Sequence, residues 1–165
     1  MNVITLEPIV PAHKELVYHI FLDIHPELTG IEGTAGDQAE WILRLQFEIR
    51  QEQLRQLYPD AERNLIIVDG VAAGFIYTDL GSDIRIIEVG LFEKYRRKGI
   101  GSYVINNIID KANNLGKNIS LQVLWCNKAA YQFYEKLGFS FVRNNDVTYE
   151  MLYRHNTENQ VFHHG

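Results

Sequence analysis

The chain has little of several residue types, and each shortage argues against a class of protein. It has one cysteine in 165 residues, Cys126, so no internal disulfide can form and a reducing compartment such as the cytoplasm is expected. Acidic residues outnumber basic ones by 21 to 16. The resulting net charge of −5 argues against a general binder of nucleic acid or of membrane surfaces, because both functions need a basic face.

Long apolar runs are missing as well. The longest stretch without Asp, Glu, Lys or Arg is 99–109, far shorter than the ~20 apolar residues of a membrane span. Glu7 interrupts the apolar residues near the N-terminus, so we expect no signal peptide there. The sequence therefore predicts a soluble protein with no membrane partner.

The apolar patterns predict a mixed α/β fold. A chain of 165 residues is long enough for one domain with a sizeable core, and we find neither an internal repeat nor a low-complexity linker. We assign residues 1–154 to a single domain with a mixed central sheet flanked by helices, and expect 155–165 to be a polar, frayed tail. The predicted strands are 2–9, 64–68, 71–78, 84–92, 119–125, 139–143 and 147–153, and the predicted helices are 13–24, 37–57, 99–115 and 127–137.

Residues 96–102 (RRKGIGS) form the most informative segment, a turn between a predicted buried strand and the clearest predicted helix. Backbone N–H groups in such a turn, together with the helix N-terminus, can bind an anion such as phosphate. A simpler interpretation is that Gly99 and Gly101 only permit a tight turn. The segment is not a P-loop, and it lacks both the third glycine and the later acidic residue of a dinucleotide fingerprint.

Two blocks of the sequence resemble the GCN5-related N-acetyltransferase (GNAT) family. Residues 96–101 satisfy the family pattern [Q/R]-x-x-G-x-[G/A], and residues 123–139 (VLWCNKAAYQFYEKLGF) resemble its V-x-x-x-N-x-x-A-x-x-x-Y-x-x-x-G-F block. One departure is Glu93, where the family usually has proline. We expect this difference to change the stiffness of the loop and not the chemistry.

The resemblance implies a binding site for acetyl-CoA as acyl donor. It implies that the turn holds the pyrophosphate, mainly through main-chain N–H groups, that Arg96 supports the loop, and that the end of the preceding strand hydrogen-bonds the pantetheine arm. The implied cofactor-binding residues are Val89, Gly90, Leu91, Arg96, Arg97, Lys98, Gly99, Ile100, Gly101, Ser102 and Asn127.

Two further residues are implied to act in catalysis. By the resemblance, Tyr134 protonates the departing CoA thiolate, although core packing beside Phe133 would also explain a tyrosine there. Asn127 contacts the pantetheine arm, or simply caps its helix. Glu88 interrupts an otherwise apolar strand, where a carboxylate is costly unless it is paired or protonated. It is therefore either the general base or the ion-pair partner of an arginine such as Arg85.

The sequence predicts an N-acetyltransferase that uses acetyl-CoA, with a small-molecule or peptide amine as acceptor. Glu48 and Glu52 on the second helix are candidates for electrostatic help with a cationic amine. The alternatives are an acyl-CoA sensor without catalysis and an α/β domain without a CoA site. Family analogy leaves a homodimer open. We expect Cys126 to have a packing role, and the histidines His163 and His164 to belong to a tail and not to a metal site.

Overall fold

A computed structural model describes residues 2–29 and 36–156. The strands are β1 (Ile4–Pro8), β2 (Glu62–Val68), β3 (Val71–Leu80), β4 (Ile84–Leu91), β5 (Ile119–Leu124), β6 (Ser140–Asn145) and β7 (Thr148–Tyr153). The helices are α1 (Lys14–Ile24), α2 (Pro26–Thr29), α3 (Gly36–Leu57), α4 (Ile100–Leu115) and α5 (Lys128–Lys136). The predicted elements are all present. The short helix α2 was not predicted. Residues 28–36, whose three glycines predict a loop, lie mostly outside the described residues.

The seven strands form one mixed sheet in the order β1-β2-β3-β4-β5-β7-β6. β1 pairs with β2 antiparallel, and β7 pairs antiparallel with both β5 and β6. β4 and β5 are parallel, through Ile84↔Ile119 and Arg85↔Ser120. The prediction of an α/β fold with a mixed sheet flanked by helices is confirmed.

The chain forms two compact units, 1–77 with 88–98, and 78–87 with 99–165. In the first unit, α1 and α3 pack through aromatic rings. The ring centroid of Phe47 lies 5.3 Å from the ring centroids of both Tyr18 and Phe21. The apolar residues of α1 recur at helical spacing, so one face can be buried. The core residues of the first unit are Val17, Tyr18, Ile20, Phe21, Leu43, Phe47, Leu54, Leu65, Ile66, Val68, Ala73, Phe75, Ile76 and Tyr77.

The second unit is built around α4. Gly116 ends this helix in the left-handed region at φ 65°, as the sequence predicts for a C-terminal glycine. The apolar spacing 100, 103, 104, 108 and 112 predicts that Tyr103 lies on the buried face of this helix, but it is 48% exposed. The core residues here are Ile84, Ile86, Ile100, Val104, Ile105, Ile109, Ala112, Ile119, Leu121, Val123, Tyr134, Phe139 and Met151.

The two predicted hairpins differ in outcome. Asp69 and Gly70 both have positive φ, 51° and 82°, which is the turn geometry that an Asp-Gly pair favours between two strands. The turn predicted at 144–146 lies at 146–147, since β6 continues to Asn145, two residues beyond its predicted end, and Asp146 begins the turn at φ 53°. The register shift between Phe141 and Arg143 places one additional residue in β6.

Candidate active site

The turn before α4 has the backbone geometry of an anion site. Arg97 and Gly99 lie in the left-handed region at φ 62° and 82°, and Gly99 is the N-cap of a helix of 16 residues. No side chain caps this helix and its first turn holds no acidic residue. The first backbone N–H groups of α4 therefore have neither an intrahelical acceptor nor a capping side chain, and they carry the positive end of the helix dipole.

The conformation of Arg97 supports a functional interpretation of this turn. A non-glycine residue in the left-handed region costs roughly 1–2 kcal/mol, and such strained residues cluster at ligand sites. Arg97 and Lys98 are exposed, and neither is ion-paired with any other described residue. Both basic side chains are consequently available to a ligand.

Arg96 fixes the start of the turn, as predicted. Its Nε donates to the backbone oxygen of Leu91 and one terminal nitrogen donates to the backbone oxygen of Asp23, both at 3.0 Å. The guanidinium group thus joins the end of β4 to the end of α1. The carbonyl of Leu91, an expected pantetheine contact, already accepts one hydrogen bond.

The departure at Glu93 has a structural reason. The backbone N–H of Glu93 donates to Oδ2 of Asp23 at 2.7 Å. Proline has no N–H group and could not make this bond. In this chain a hydrogen bond to α1, and not the proline ring, holds the residue after the strand.

Replacing Arg96 with lysine is expected to weaken acetyl-CoA binding about tenfold, equivalent to about 1.4 kcal/mol. Lysine keeps the charge but cannot donate to both carbonyl oxygens in the planar geometry of a guanidinium group. Isothermal titration calorimetry measures the change, with Arg143→Lys on the exposed strand β6 as control. Unchanged affinity in the Arg96 variant would show that the turn is held by its backbone alone.

A groove of about 460 Å³ lies in the first unit and is lined by Asp23, Ala72, Phe92, Glu93 and Lys94. It shares Asp23 with the Arg96 anchor, and its lining includes neither Glu88 nor Gly90. The groove is therefore adjacent to the loop that Arg96 anchors.

At the end of β4 the backbone is closely packed. Gly90 is buried, and a Cβ there would lie 2.8 Å from two side-chain carbons of Ile24. A Cβ at Gly74 would overlap the backbone oxygen of Gly90. Glycine is needed at both positions because another element approaches the backbone closely.

Glu88 lies in a charged cluster drawn from three elements. Its side chain is 8% exposed, with Oε1 3.6 Å from Nε2 of His25 and Oε2 3.9 Å from Nε of Arg50. No sequence pattern points to either partner, because His25 is 63 residues away from Glu88 and Arg50 is 38 residues away. The predicted cost of a buried carboxylate is thus offset by two cationic or protonatable neighbours.

Tyr77 is a buried tyrosine that is influenced by the charge of Glu88. Its hydroxyl donates to Oε1 of the buried Gln51 at 3.1 Å. Burial, and then the negative charge of Glu88, raises the pKa of Tyr77 to about 12. The carboxylate is therefore close enough to act on Tyr77 electrostatically.

One expectation about charged partners is wrong. Arg85 pairs with Glu150 at 2.7 Å and not with Glu88, since side chains three residues apart on a strand point to opposite faces. Glu48 lies 2.5 Å from Lys14 and Glu52 lies 3.2 Å from Arg55. Each glutamate thus has an exposed cationic partner, and its electrostatic help to a cationic amine stays a prediction.

Asn127 and Tyr134 lie at opposite ends of α5. Oδ1 of Asn127 accepts from the backbone N–H of Ala130 at 3.1 Å, so this residue caps the helix. Tyr134 is 9% exposed, with its ring edge-on to Phe133 and Phe139 at 5.0 and 5.4 Å. The two alternative roles, capping and packing, are thus both observed, and the proposed ligand contacts stay predictions.

The hydroxyl of Tyr134 stays protonated at neutral pH. Burial raises its pKa above the ordinary value of a tyrosine. Within residues 2–29 and 36–156 it forms no hydrogen bond with another side chain. Its O–H group is therefore not already used by another described side chain.

The structure tests one of the remaining expectations, that for Cys126. Cys126 is exposed, so its expected packing role in the core is wrong. His163 and His164 lie outside the described residues.

The comparisons with known proteins agree with this geometry. The model of the acetyltransferase (GNAT) family matches residues 16–139. The chain belongs to the GNAT acetyltransferase family. The predicted resemblance is confirmed, and it extends beyond the two sequence blocks into α1 and α3.

The individual proteins that the chain resembles share less than a third of their aligned residues with it. The chain is 28% identical over 102 residues to the uncharacterized N-acetyltransferase CgeE of Bacillus subtilis, covering 55% of this chain and 39% of that protein. It is 29% identical over 91 residues to N-alpha-acetyltransferase 50 of Danio rerio, covering 54% of each. The chain thus spans about half or less of the length of these relatives.

Solved structures share the fold. PaiA N-acetyltransferase from Thermoplasma acidophilum, crystallised in complex with coenzyme A, has a TM-score of 0.69 at 18% identity, over 93% of this chain and 99% of that one. At this identity the likeness shows the GNAT fold alone. In the part of the chain that the structure describes, no helix is both long and apolar enough to cross a membrane.

Proposed function

We propose that this chain is an acetyl-CoA-dependent N-acetyltransferase that transfers the acetyl group directly to a primary amine. The acceptor is a small molecule, a lysine side chain or the N-terminus of a peptide. The uncapped start of α4, with Arg97 and Gly99 in the left-handed region, carries the proposal, because this geometry suits a pyrophosphate. The names of the curated relatives and the coenzyme A in the Thermoplasma structure support it.

Acetyl-CoA supplies an activated thioester when it is bound. In our proposal the turn binds the pyrophosphate, Arg96 holds the turn in place, and the end of β4 offers backbone groups to the pantetheine arm. Asn127 can add a contact through its amide nitrogen, since Oδ1 is used in capping. The proposed contacts are Val89, Gly90, Leu91, Arg97, Lys98, Gly99, Ile100, Gly101, Ser102 and Asn127.

Tyr134 donates to the sulfur in this proposal. The pKa of its hydroxyl is raised by burial, whereas a thiol has an ordinary pKa near 8.5. Complete proton transfer from the phenol to the thiolate is then uphill, so the hydroxyl acts mainly by a hydrogen bond as negative charge develops on sulfur. One such donor is typically worth about 10²–10³ in rate.

The acceptor must be deprotonated before it can attack. A lysine-type amine has a pKa near 10.4, so it is a cation at neutral pH and has no free electron pair. The nitrogen loses one proton before attacking the carbonyl carbon and a second as the C–N bond is completed. The C–S bond breaks, the sulfur gains one proton, and one proton is released to solvent. We propose that Glu88 drives these proton removals, either directly or through one water molecule.

The test is release of free thiol from acetyl-CoA with an amine panel of spermidine, free lysine and a short peptide with a free N-terminus. The expected result is thiol release that depends on one of these amines, with a product heavier by one acetyl group. If acetyl-CoA binds by calorimetry and no amine releases thiol, the chain is an acyl-CoA sensor. Absence of binding would contradict any CoA site.

Two broader statements stay predictions. A cytoplasmic location agrees with the single cysteine. A homodimer rests on family analogy, and size-exclusion chromatography with light scattering tests it.

A further inference from the structure

The two oxygens of the Glu88 carboxylate have different surroundings. Oε2 is fully buried and accepts no hydrogen bond within the described part of the chain. Oε1 accepts no hydrogen bond from a described residue either, but it is not among the fully buried atoms. Oε1 is therefore the oxygen at which a water molecule or an amine can meet this carboxylate.

Arg50 lies on the side of the buried oxygen. Its Nε is 3.9 Å from Oε2 of Glu88, a separation at which opposite charges attract but no hydrogen bond forms. The Arg50 side chain reaches β4 from α3 and is 46% exposed. The guanidinium group thus acts on Oε2 by its charge and leaves Oε1 to solvent.

A positive charge at this place has a chemical consequence. Only 8% of the Glu88 side chain is exposed, and burial favours the neutral form of a carboxyl group. The ionised form can take a proton from an amine, whereas the protonated form cannot. A cation close to Oε2 favours the form that proton removal needs.

The other groups beside Glu88 do not supply a permanent charge. His25, at the end of α1, has Nε2 3.6 Å from Oε1, and an imidazole is charged only when it is protonated. Tyr77 on β3 has a pKa raised to about 12 by burial and then by the charge of Glu88, so it is neutral at physiological pH. Arginine keeps its charge at every pH at which proteins work.

We propose that Arg50 is a positioning residue of the acetyl-transfer site, whose charge keeps the Glu88 carboxylate ionised and able to take a proton from the acceptor amine. This proposal rests on the function proposed above. Glu88 takes each proton directly or through one water molecule and passes it to solvent before the next is removed. Arg50 neither gains nor loses a proton.

Arg50→Met is expected to lower kcat/KM for the amine by an amount that grows as the pH falls. Methionine keeps an unbranched apolar side chain and removes the charge. A neighbouring arginine moves the titration of a carboxylate by about 1–3 pH units, and we expect the low end because Arg50 is partly exposed. The ratio of variant to wild type should therefore fall about tenfold at low pH and become constant at high pH. Titration of the amine cancels in this ratio, because both proteins use the same amine.

The rate is measured as acetylated product by mass spectrometry, across the pH range in which the wild-type chain is folded. Arg44→Met is the matched control. Arg44 lies on the same helix, is 43% exposed and pairs with Glu15 at 2.8 Å and with Glu40 at 2.9 Å. This variant should show no pH-dependent loss.

Two further variants test whether the charge acts through Glu88. Arg50→Lys keeps a positive charge and should restore most of the activity at low pH. In a Glu88→Gln background, Arg50→Met should cause no further pH-dependent loss, because an amide does not ionise in this range. A continued loss in that background would mean that Arg50 acts on the substrate itself, which contradicts the proposal.

NMR of the glutamate carboxyl carbons follows the same effect without turnover. The signal of Glu88 is identified by its loss in Glu88→Gln, and its titration should move up by about one pH unit in Arg50→Met. If the wild-type chain acetylates none of the panel amines, the proposed function fails, while this titration still tests the effect of Arg50 on Glu88.

An equal loss at every pH in Arg50→Met, no recovery in Arg50→Lys, or an unmoved titration of Glu88 would overturn the proposal. Circular dichroism shows whether the variants are folded. If Arg50→Met fails to fold, the same comparisons are made with Arg50→Gln.

Discussion

Gly101→Val is expected to reduce acetyl-CoA affinity by more than 10²-fold while the fold survives. Gly101 lies in the first turn of α4 and is half-buried. Its φ is not in the left-handed region, so valine can adopt the backbone conformation. The added side chain would occupy the space through which the pyrophosphate approaches the backbone amides, and each factor of ten in affinity costs about 1.4 kcal/mol. Calorimetry gives the affinity, and a thermal melt followed by circular dichroism shows whether the protein is folded.

Asn106→Val is the matched control for this substitution. Asn106 is exposed on α4 beyond the first turn, so the same side chain is introduced into the same helix away from its N-terminus. We expect this variant to bind acetyl-CoA like the wild-type chain. Equal affinity in the Gly101 variant and the control would contradict binding of pyrophosphate at the turn.

Tyr134→Phe is expected to lower kcat about 10²-fold with little change in stability. Phenylalanine keeps the edge-on ring contacts with Phe133 and Phe139 and removes only the hydroxyl. Since that hydroxyl forms no hydrogen bond with another described side chain, the folded state loses little. The expected loss in kcat lies within the range that is typical when one hydrogen-bond donor to a developing negative charge is removed. Steady-state thiol release and urea denaturation measure the two quantities.

Tyr131→Phe on the same helix provides the comparison. Tyr131 packs edge-on to Tyr149 at 5.9 Å, so the same atom is removed from a second packed tyrosine. Its turnover should match the wild-type chain. A similar rate loss in both variants would mean that any loss of a hydroxyl disturbs α5, and Tyr134 would then have only a packing role.

The two variants also separate catalysis from simple binding. A sensor would lose acetyl-CoA affinity in Gly101→Val and show no difference in Tyr134→Phe. An acetyltransferase would lose binding in the first variant and turnover in the second.

The secondary structure was predictable because its signals are local. Apolar residues at helical spacing define α1 and α4, and the Asp69-Gly70 pair defines the hairpin between β2 and β3. The family blocks are also local, so the turn before α4 and the helix α5 were identified from short stretches of sequence. The turn of the closing hairpin was predicted to start two residues too early, and the register of this hairpin includes a bulge in β6. A bulge depends on pairing with the neighbouring strand, which the pattern of one strand does not contain.

The sequence by itself determined the elements, the glycine-containing turn before α4 and the candidates Tyr134 and Glu88. Only the tertiary structure decided what surrounds those candidates. Glu88 could have paired with any arginine of the chain, and folding placed Arg50 and His25 beside it while Arg85 paired with Glu150. Periodicity and capping act over a few residues and can be read from the chain. A buried charge takes its partners from other elements, tens of residues away, because the cost of removing it from water is offset only where packing brings those partners together.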